Sequence, residues 1–167
     1  MLIFKGAKNG LIATKEFPTY PINRQYLCQP KAWMGEEAMY TWIYCVLILR
    51  KNTKAPGVVP IHILALNHVH MMGNIVNCIQ SLGIEVIHIP AGCTYLCQPV
   101  DVGINKTIKT GMSKKWEDWM TDGEGIVDGV AKEPSHKVVA EWLAETYTTM
   151  PETIGRNAWM KTGFEWF

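Results

Sequence analysis

The pattern of hydrophobic and polar positions predicts a strand, a helix and a strand in the middle of the chain. The run VVPIHILAL, residues 58–66, is short, apolar and rich in β-branched residues, which is typical of a buried parallel strand. Apolar residues then recur at helical spacing from Met71 to Leu82, and Gly83 stops the pattern. Glu85 to Ile89 alternates apolar and polar side chains and ends at Pro90. This order predicts a βαβ unit within an α/β fold.

The residues before this unit predict a hairpin, a loop and a helix. Met1 to Phe17 contains two β-competent runs on either side of Asn9-Gly10, a pair that favours a tight turn, so a β-hairpin is expected. Pro18 to Lys31 is interpreted as a proline-containing loop in which Cys28 is structural and not reactive. Ala32 to Arg50 carries an apolar stripe and begins with two acids, which predicts a core-facing helix.

Three helices are predicted in the last part of the chain. The first begins at Gly103 and presents one apolar face. Thr121 to Pro134 mixes glycines with acids and is interpreted as a flexible connection. Ser135 is expected to cap the second helix, and Pro151 to open the third, which Gly163 stops. The apolar face of the first helix consists of Ile104, Ile108, Met112, Trp116 and Trp119.

Composition narrows the class of protein. The length of 167 residues suits one domain, and the 48% of apolar residues can supply a core, which excludes a disordered tail. The formal net charge is only +1, whereas a stand-alone nucleic-acid binder normally carries a clear basic excess. Any contact with nucleic acid must therefore be local.

Cysteine usage and hydropathy bear on the compartment. The five cysteines are an odd number without the spacing of a disulfide scaffold, and no secretory signal precedes them. Reduced thiols in an intracellular compartment are expected. No apolar run approaches the length of a membrane span, so no membrane partner is expected.

Asp101 is the candidate functional carboxylate. It lies where the turn-rich residues Cys93 to Pro99 lead into a helix, a position from which a carboxylate and oriented amides can face a metal or an anion. The alternative is an ordinary N-capping Asp. On the polar side of the following helix, Lys106, Lys109 and Lys114 are either solvated charges or phosphate contacts beside Asp101.

The spacing of four His and Cys residues argues against a zinc site. A His-x-His pair followed at a distance by Cys-x3-Cys lacks zinc-finger spacing, so we expect no zinc there. Two further histidines within strands are interpreted as hydrogen-bonded structural residues. The four zinc candidates are His68, His70, Cys93 and Cys97, and the two structural residues are His62 and His88.

The run PAGCTYLCQPVDVGINKTIK, residues 90–109, resembles the third catalytic block of the pogo and Tigger-like DDE transposases, where a proline, a Thr, a Gln-Pro and an Asp precede a helix. The resemblance extends to four other segments and so spans nearly the whole chain. It implies a ribonuclease H-like fold, DNA as the partner, and the nucleus as the location. The four other segments are LIFKG, AWMGEEAMYTW, IHILALNHVHMMGNIV and NAWMKTGFEWF.

The resemblance also implies a metal-dependent site that this sequence retains only in part. Enzymes of this family cut DNA with two Mg²⁺ or Mn²⁺ ions held by three carboxylates, because hard cations prefer oxygen ligands and a shared carboxylate bridges the pair. Asp101 matches the third carboxylate. Ala65 occupies the position of the second, or Asn67 in an alternative register, and neither supplies a carboxylate. The strand with the first Asp would precede Met1.

These matches predict a partial ribonuclease H-like α/β fold, truncated at its N-terminus, over residues 1–120. Residues 121–134 are then a flexible linker, and 135–167 a helical extension of the same domain. Because a central strand would be missing, we expect the hairpin to shift inward or the chain to self-associate.

The expected function is a remnant of a transposase domain without enzymatic activity. At most it binds nucleic acid through Lys106, Lys109 and Lys114, and holds one metal ion weakly at Asp101. One alternative is a metal-dependent strand-transfer nuclease completed by carboxylates from another chain. The other is a domesticated protein-interaction module.

Overall fold

The structure is a computed structural model that describes residues 1–49, 61–65, 68–123 and 125–163, with only the backbone of residues 61, 63 and 65. These residues form two compact units. The first unit contains the residues up to Thr94 except 19–21, and the second contains 19–21 and the residues from Tyr95 onward.

Each unit has its own secondary structure. The described strands and helices of the first unit are β1 (Leu2–Lys5), β2 (Tyr26–Gln29), α1 (Glu36–Trp42), β3 (Ile61–Ala65), α2 (Gly73–Ser81) and β4 (Glu85–Ile89). The chain continues through α3 (Thr94–Cys97) to α4 (Asn105–Thr121), β5 (Ile126–Val127), β6 (Val130–Ala131), α5 (His136–Thr149) and α6 (Glu152–Lys161). Three turns of π-helix occur at Ile12–Glu16, Ile43–Leu47 and Val100–Ile104, and a 3-10 turn at Phe17–Thr19.

The predicted βαβ unit is confirmed. β3 and β4 are parallel, with Ile61 opposite Glu85 and Ala65 opposite Ile89. α2 connects them and ends before Gly83, whose φ of 71° is the left-handed conformation that favours glycine after a helix. The apolar periodicity of the sequence therefore located both strands and the helix between them.

The core of the first unit lies between these elements and α1. Met39 on α1 and Ile43 in the π turn that continues it pack with Ile75 and Ile79 of α2 and with Leu64 of β3. Each of the five side chains is buried. The helix predicted over residues 32–50 is thus confirmed as a core-facing element.

That helix begins at Glu36, later than predicted. Ala32 has a φ of 54°, which a right-handed helix excludes, and Gly35 is the extended residue that precedes the first turn. The preceding residues therefore form a turn instead of the first helical turn.

The predicted β-hairpin over Met1 to Phe17 is wrong. Its second run forms the π turn Ile12–Glu16, where the Thr14 hydroxyl donates to the Gly10 carbonyl oxygen at 3.0 Å. Alanine, lysine and glutamate within that turn are good helix formers, so local propensity competes with the β pattern. Asn9-Gly10 therefore precedes a helical turn instead of connecting two strands.

The strand that pairs with β1 comes from the segment interpreted as a loop, which is a second correction. β2 lies parallel to β1, with Leu2 opposite Tyr26 and Lys5 opposite Gln29. A parallel pair needs a crossover of a dozen or more residues, which the segment between the two strands supplies. Phe17 lies over this pair, with its ring centroid 5.6 Å from that of Tyr26.

The strands of the first unit do not form one sheet. Among the described residues, β1 pairs with β2 and β3 with β4, as two separate two-stranded sheets. The expected inward shift of a hairpin toward β3 is therefore not observed. The fold is α/β with short sheets, and self-association remains a prediction.

The predicted starts of the last two helices are confirmed. Ser135 caps α5 and accepts a hydrogen bond from the Val138 amide on its Oγ at 3.3 Å. Pro151 precedes α6, and Gly163 follows it with a φ of 74°. Within residues 1–49, 61–65, 68–123 and 125–163, no helix combines the length and hydrophobicity that a membrane crossing requires.

Helices α4 and α5 approach each other closely in the second unit. A Cβ on Gly111 would lie 2.6 Å from Cγ2 of Thr146, so only glycine permits this distance. The indole rings of Trp119 and Trp142 meet edge to face, with centroids 5.8 Å apart. The structure groups α4 with α5 and α6, whereas the sequence divided them at residues 121–134; that division remains a prediction.

A short hairpin lies within residues 121–134, the segment predicted to be a flexible connection. β5 and β6 pair antiparallel around Asp128-Gly129, whose φ values of 53° and 75° are those of a tight two-residue turn. The Lys132 amide donates to the Gly125 carbonyl at 2.7 Å and closes the loop. Asp-Gly between short apolar pairs was the signal that would have predicted it.

Candidate functional site

Asp101 lies in the first turn of a helix and not at its cap. The helical turn Val100–Ile104 begins after the buried Pro99, and the amides of Asp101 and Val102 both donate to the Gln98 carbonyl, at 2.9 and 3.0 Å. This turn continues directly into α4. The N-capping alternative is therefore wrong, because Asp101 is itself a helical residue.

The carboxylate of Asp101 is exposed and is held by one neighbour on its own helix. Asn105 donates from Nδ2 to Asp101 Oδ1 at 2.7 Å. Residues four apart on a helix lie on the same face, so their spacing in the sequence was the available signal for this pair. Asn105 is the site residue that the sequence analysis missed.

Helix α6 positions the turn that carries Asp101. A Cβ on Gly103 would lie 3.0 Å from the Cβ of Ala158, and Ala158 is buried. The glycine thus lets the turn pack directly on α6. The orientation of the carboxylate depends on this contact between two small residues.

The described residues do not fit a pair of divalent ions. Nowhere in this part of the chain do three or more His, Cys, Asp or Glu residues converge on a point where an ion could be held. Two-ion chemistry needs several carboxylate oxygens, including one shared between the metals. Asp101 offers one carboxylate, and one of its oxygens already accepts from Asn105.

Of the two residues matched to the second family carboxylate, the structure describes only Ala65. Ala65 is the last residue of β3, as expected for a residue at the carboxyl end of a parallel strand. Asn67 lies outside the described residues. Ala65 belongs to the first unit and Asp101 to the second, so the expected proximity of the two remains a prediction.

The three candidate lysines are exposed on α4, but only two of them line the same groove. Lys106 and Lys114 line a groove of about 620 Å³ between α4 and α5, and Lys109 lies outside its lining. Lys115, which the sequence analysis did not single out, also lines the groove. The full lining is Lys106, Thr107, Thr110, Gly111, Lys114, Lys115, Asp118, Glu145, Thr146, Thr149, Met150 and Pro151.

The surroundings of His88 and Cys28 agree with the structural roles expected for them. His88 of β4 has its Nε2 3.1 Å from the His70 carbonyl oxygen, in line with a structural role. Cys28 on β2 is buried, and burial, with a smaller effect from the negative charge of Glu16, raises the pKa of its thiol above the ordinary value. A raised pKa disfavours the reactive thiolate, which supports the structural interpretation of Cys28.

Two tyrosines away from the candidate site also have a raised pKa. At Tyr26 the main cause is burial. The Tyr44 hydroxyl lies 3.8 Å from the Cys78 Sγ, and this hydrogen bond is the main reason why the pKa of Tyr44 is raised. All five cysteines are free thiols.

Comparison with known proteins agrees with the sequence motifs. Residues 1–159 match the family model described as DDE superfamily endonuclease. The chain is 25% identical over 137 residues to "Pogo transposable element with KRAB domain" of Homo sapiens, covering 78% of this chain and 22% of the relative. The protein of the same description from Mus musculus is 23% identical over 137 residues, again covering 78% of this chain and 22% of the relative.

The chain therefore spans about a fifth of the length of the curated relatives it matches. It has no significant match among solved structures.

Proposed function

The chain belongs to the DDE superfamily of endonucleases, and from this premise we propose that it is a transposase-type domain that binds the DNA backbone without cutting it. Family membership supports a ribonuclease H-like arrangement of the α/β elements. The names of the relatives, which are transposable elements, support DNA as the partner and the nucleus as the location.

The surroundings of the Asp101 carboxylate are the main observation that supports a domain without cleavage activity. Its carboxylate is exposed, has Asn105 as its hydrogen-bond partner, and belongs to no metal-binding cluster within the described residues. The position matched to the second family carboxylate is Ala65, which has no oxygen in its side chain. A single carboxylate is expected to hold one Mg²⁺ or Mn²⁺ ion weakly at best.

Binding to the DNA backbone is supported by Lys106 and Lys114 of α4, which line the same groove. Both are exposed, and neither has a hydrogen-bond or ion-pair partner among residues that the structure describes. Contacts between lysines and phosphates position a protein on DNA without reading sequence. With a net charge of only +1, the chain is expected to bind weakly and with a marked salt dependence.

The test separates binding from cleavage. Fluorescence anisotropy with a labelled duplex measures binding, and relaxation of supercoiled plasmid in Mg²⁺ or Mn²⁺ measures nicking. We expect salt-sensitive binding and no nicking, for the unmodified chain and for Ala65→Asp. Asp101→Asn, which keeps the size of the side chain, is the matched control and should bind DNA as the unmodified chain does.

Two outcomes would overturn the proposal. Nicking by the unmodified chain that disappears in Asp101→Asn would show an active nuclease, the alternative in which further carboxylates complete the site. Absence of any DNA binding at low salt would leave the domain without the proposed partner.

A further inference from the structure

We infer that the groove between α4 and α5 holds one phosphodiester strand, with Lys106 and Lys114 on two separate phosphates of that strand and Lys109 outside the contact. This inference rests on the proposed function and adds which surface binds. The groove has a volume of about 620 Å³ and is bounded by both helices and by the residues that join α5 to α6.

The charges along the groove make one part of it attractive to an anion. Lys115 pairs with Glu145 at 2.6 Å, and its side chain is only 22% exposed, so this charge is already compensated. Asp118 adds a negative charge to the same lining. Lys106 and Lys114 have no ion-pair partner in the described part of the chain. The lysines of the groove that have no ion-pair partner among the described residues are therefore the two at either end of this part of α4.

Hydroxyl groups between the two lysines are able to donate to a phosphate. Thr107 and Thr110 line the groove, and neither hydroxyl has a hydrogen-bond partner among the described residues. The hydroxyls of Thr146 and Thr149 are already used, donating to the Trp142 carbonyl at 2.7 Å and the Glu145 carbonyl at 3.0 Å. The unused donors thus coincide with the uncompensated charges.

Helix geometry places these four side chains on one stripe. At about 100° per residue, Lys106, Thr107, Thr110 and Lys114 fall within about 100° of the helix circumference. Lys109 lies about 60° beyond the edge of that stripe, in agreement with its absence from the groove lining.

The spacing of the two lysines suits one backbone. Lys106 and Lys114 are eight residues apart, a rise of about 12 Å along the helix. Each strand of a duplex presents about one phosphate per 3.4 Å of its axis, so both lysines reach phosphates of the same strand. The strand is either single-stranded nucleic acid or one strand of a duplex, since both present the same phosphodiester chemistry.

The experiment compares three lysine variants with identical charge loss on the same helix. Anisotropy titrations of Lys106→Ala, Lys114→Ala and Lys109→Ala use labelled single-stranded and duplex oligonucleotides of the same sequence at several salt concentrations. For each groove lysine removed, the slope of log K against log salt should fall by about 0.9 with duplex, or about 0.7 with single strand. Lys109→Ala should keep the slope of the unmodified chain.

The same titrations distinguish single-stranded from duplex nucleic acid. Removing a groove lysine should lower the salt slope only for the form that binds in the groove.

A matched pair of threonines tests the hydroxyl donors. Thr110→Val should weaken binding roughly tenfold without changing the salt slope, since a neutral donor to a charged acceptor is lost. Thr149→Val should not weaken binding, because the helix already uses that hydroxyl.

The outcomes separate failure of this inference from failure of the proposed function. If the unmodified chain does not bind nucleic acid, the proposed function fails. If it binds and the three lysine variants lose the same slope, binding is a general property of the surface and the groove assignment is wrong. Lys106→Arg, which keeps the charge, should keep the slope and excludes loss of folding as the cause.

Discussion

The helices of the two compact units differ in the largest side chains that they bury. In the first unit, Met39, Ile43, Ile75 and Ile79 are large and at most 2% exposed. Along the helices of the second unit, the buried side chains are small, and the 17 residues of α4 include none that is fully buried. The buried residues of its other two helices are Ala140, Thr146 and Ala158.

This difference shows two ways to hold helices together. The first unit buries large apolar side chains, so its stability should depend on how tightly its core is packed. The second unit brings backbones close at Gly103 and Gly111, so its stability should depend on the absence of a Cβ. Removing side-chain atoms should therefore destabilise the first unit most, and adding them should destabilise the second unit most.

The largest effect is expected for Ile79→Ala. Ile79 is 0% exposed in the core of the first unit, and truncating such a residue costs about 2 to 5 kcal/mol through lost burial and a residual cavity. Chemical denaturation, with hydrogen exchange to locate the loss, measures it. The half-buried Ile108 on α4 gives the matched deletion, and an equal cost for Ile108→Ala would remove the contrast between the units.

Gly111→Ala should be a harmful addition at the contact between α4 and α5. Its Cβ would lie 2.6 Å from Thr146 Cγ2, and Thr146 is fixed by its own hydrogen bond to Trp142. We expect a loss of about 1 to 3 kcal/mol from overpacking. Faster amide exchange in α4 and α5, with the first unit unchanged, would locate the loss; a stabilised variant would show that the helices separate freely.

Ser135→Ala tests whether the helices of the second unit depend on their caps. The Ser135 hydroxyl accepts the Val138 amide at 3.3 Å, and loss of such a cap costs roughly 1 kcal/mol. Thermal denaturation followed by circular dichroism measures the change. Ser135→Asp, which retains an acceptor, is the control and should keep the stability of the unmodified chain.

The smallest effect is expected for Gly155→Ala, and it has the opposite sign. Gly155 lies within α6, and a Cβ there would have no atom within 4 Å. Alanine is favoured over glycine within a helix by about 0.8 to 1 kcal/mol, so stability should rise by up to that amount. The same denaturation experiment gives the sign. A loss at Gly155 as large as that at Gly111 would mean that close contact does not distinguish the two glycines.

Local patterns predicted the parts of the fold that depend on neighbours in sequence. The βαβ unit was found because periodicity over 58–89 changes from strand to helix and back, and Ser135 and Gly163 marked helix ends. The pairing of β1 with β2 was not found, because it joins residues about 24 positions apart and the competing hairpin signal at Asn9-Gly10 was stronger.

The same limit applies to the candidate site. Asp101 and the lysines of α4 were identified from a motif and from helical spacing. The groove was not, because its other side belongs to α5, and the local sequence of α4 does not show that Glu145 compensates the charge of Lys115. Contacts between elements had to come from the structure.

The Val100–Ile104 turn continues directly into α4, so one continuous helix fixes the distance between Asp101 and the lysines of α4. Asp101 and Lys106 are five helical residues apart, a rise of about 7.5 Å that does not depend on how the two units are arranged. Asp101 does not line the groove that contains Lys106, in agreement with a spacing of five residues, which does not place two side chains on one face of a helix. Replacing the Asp101 side chain is therefore expected to leave the charges and hydroxyl groups of the groove unchanged.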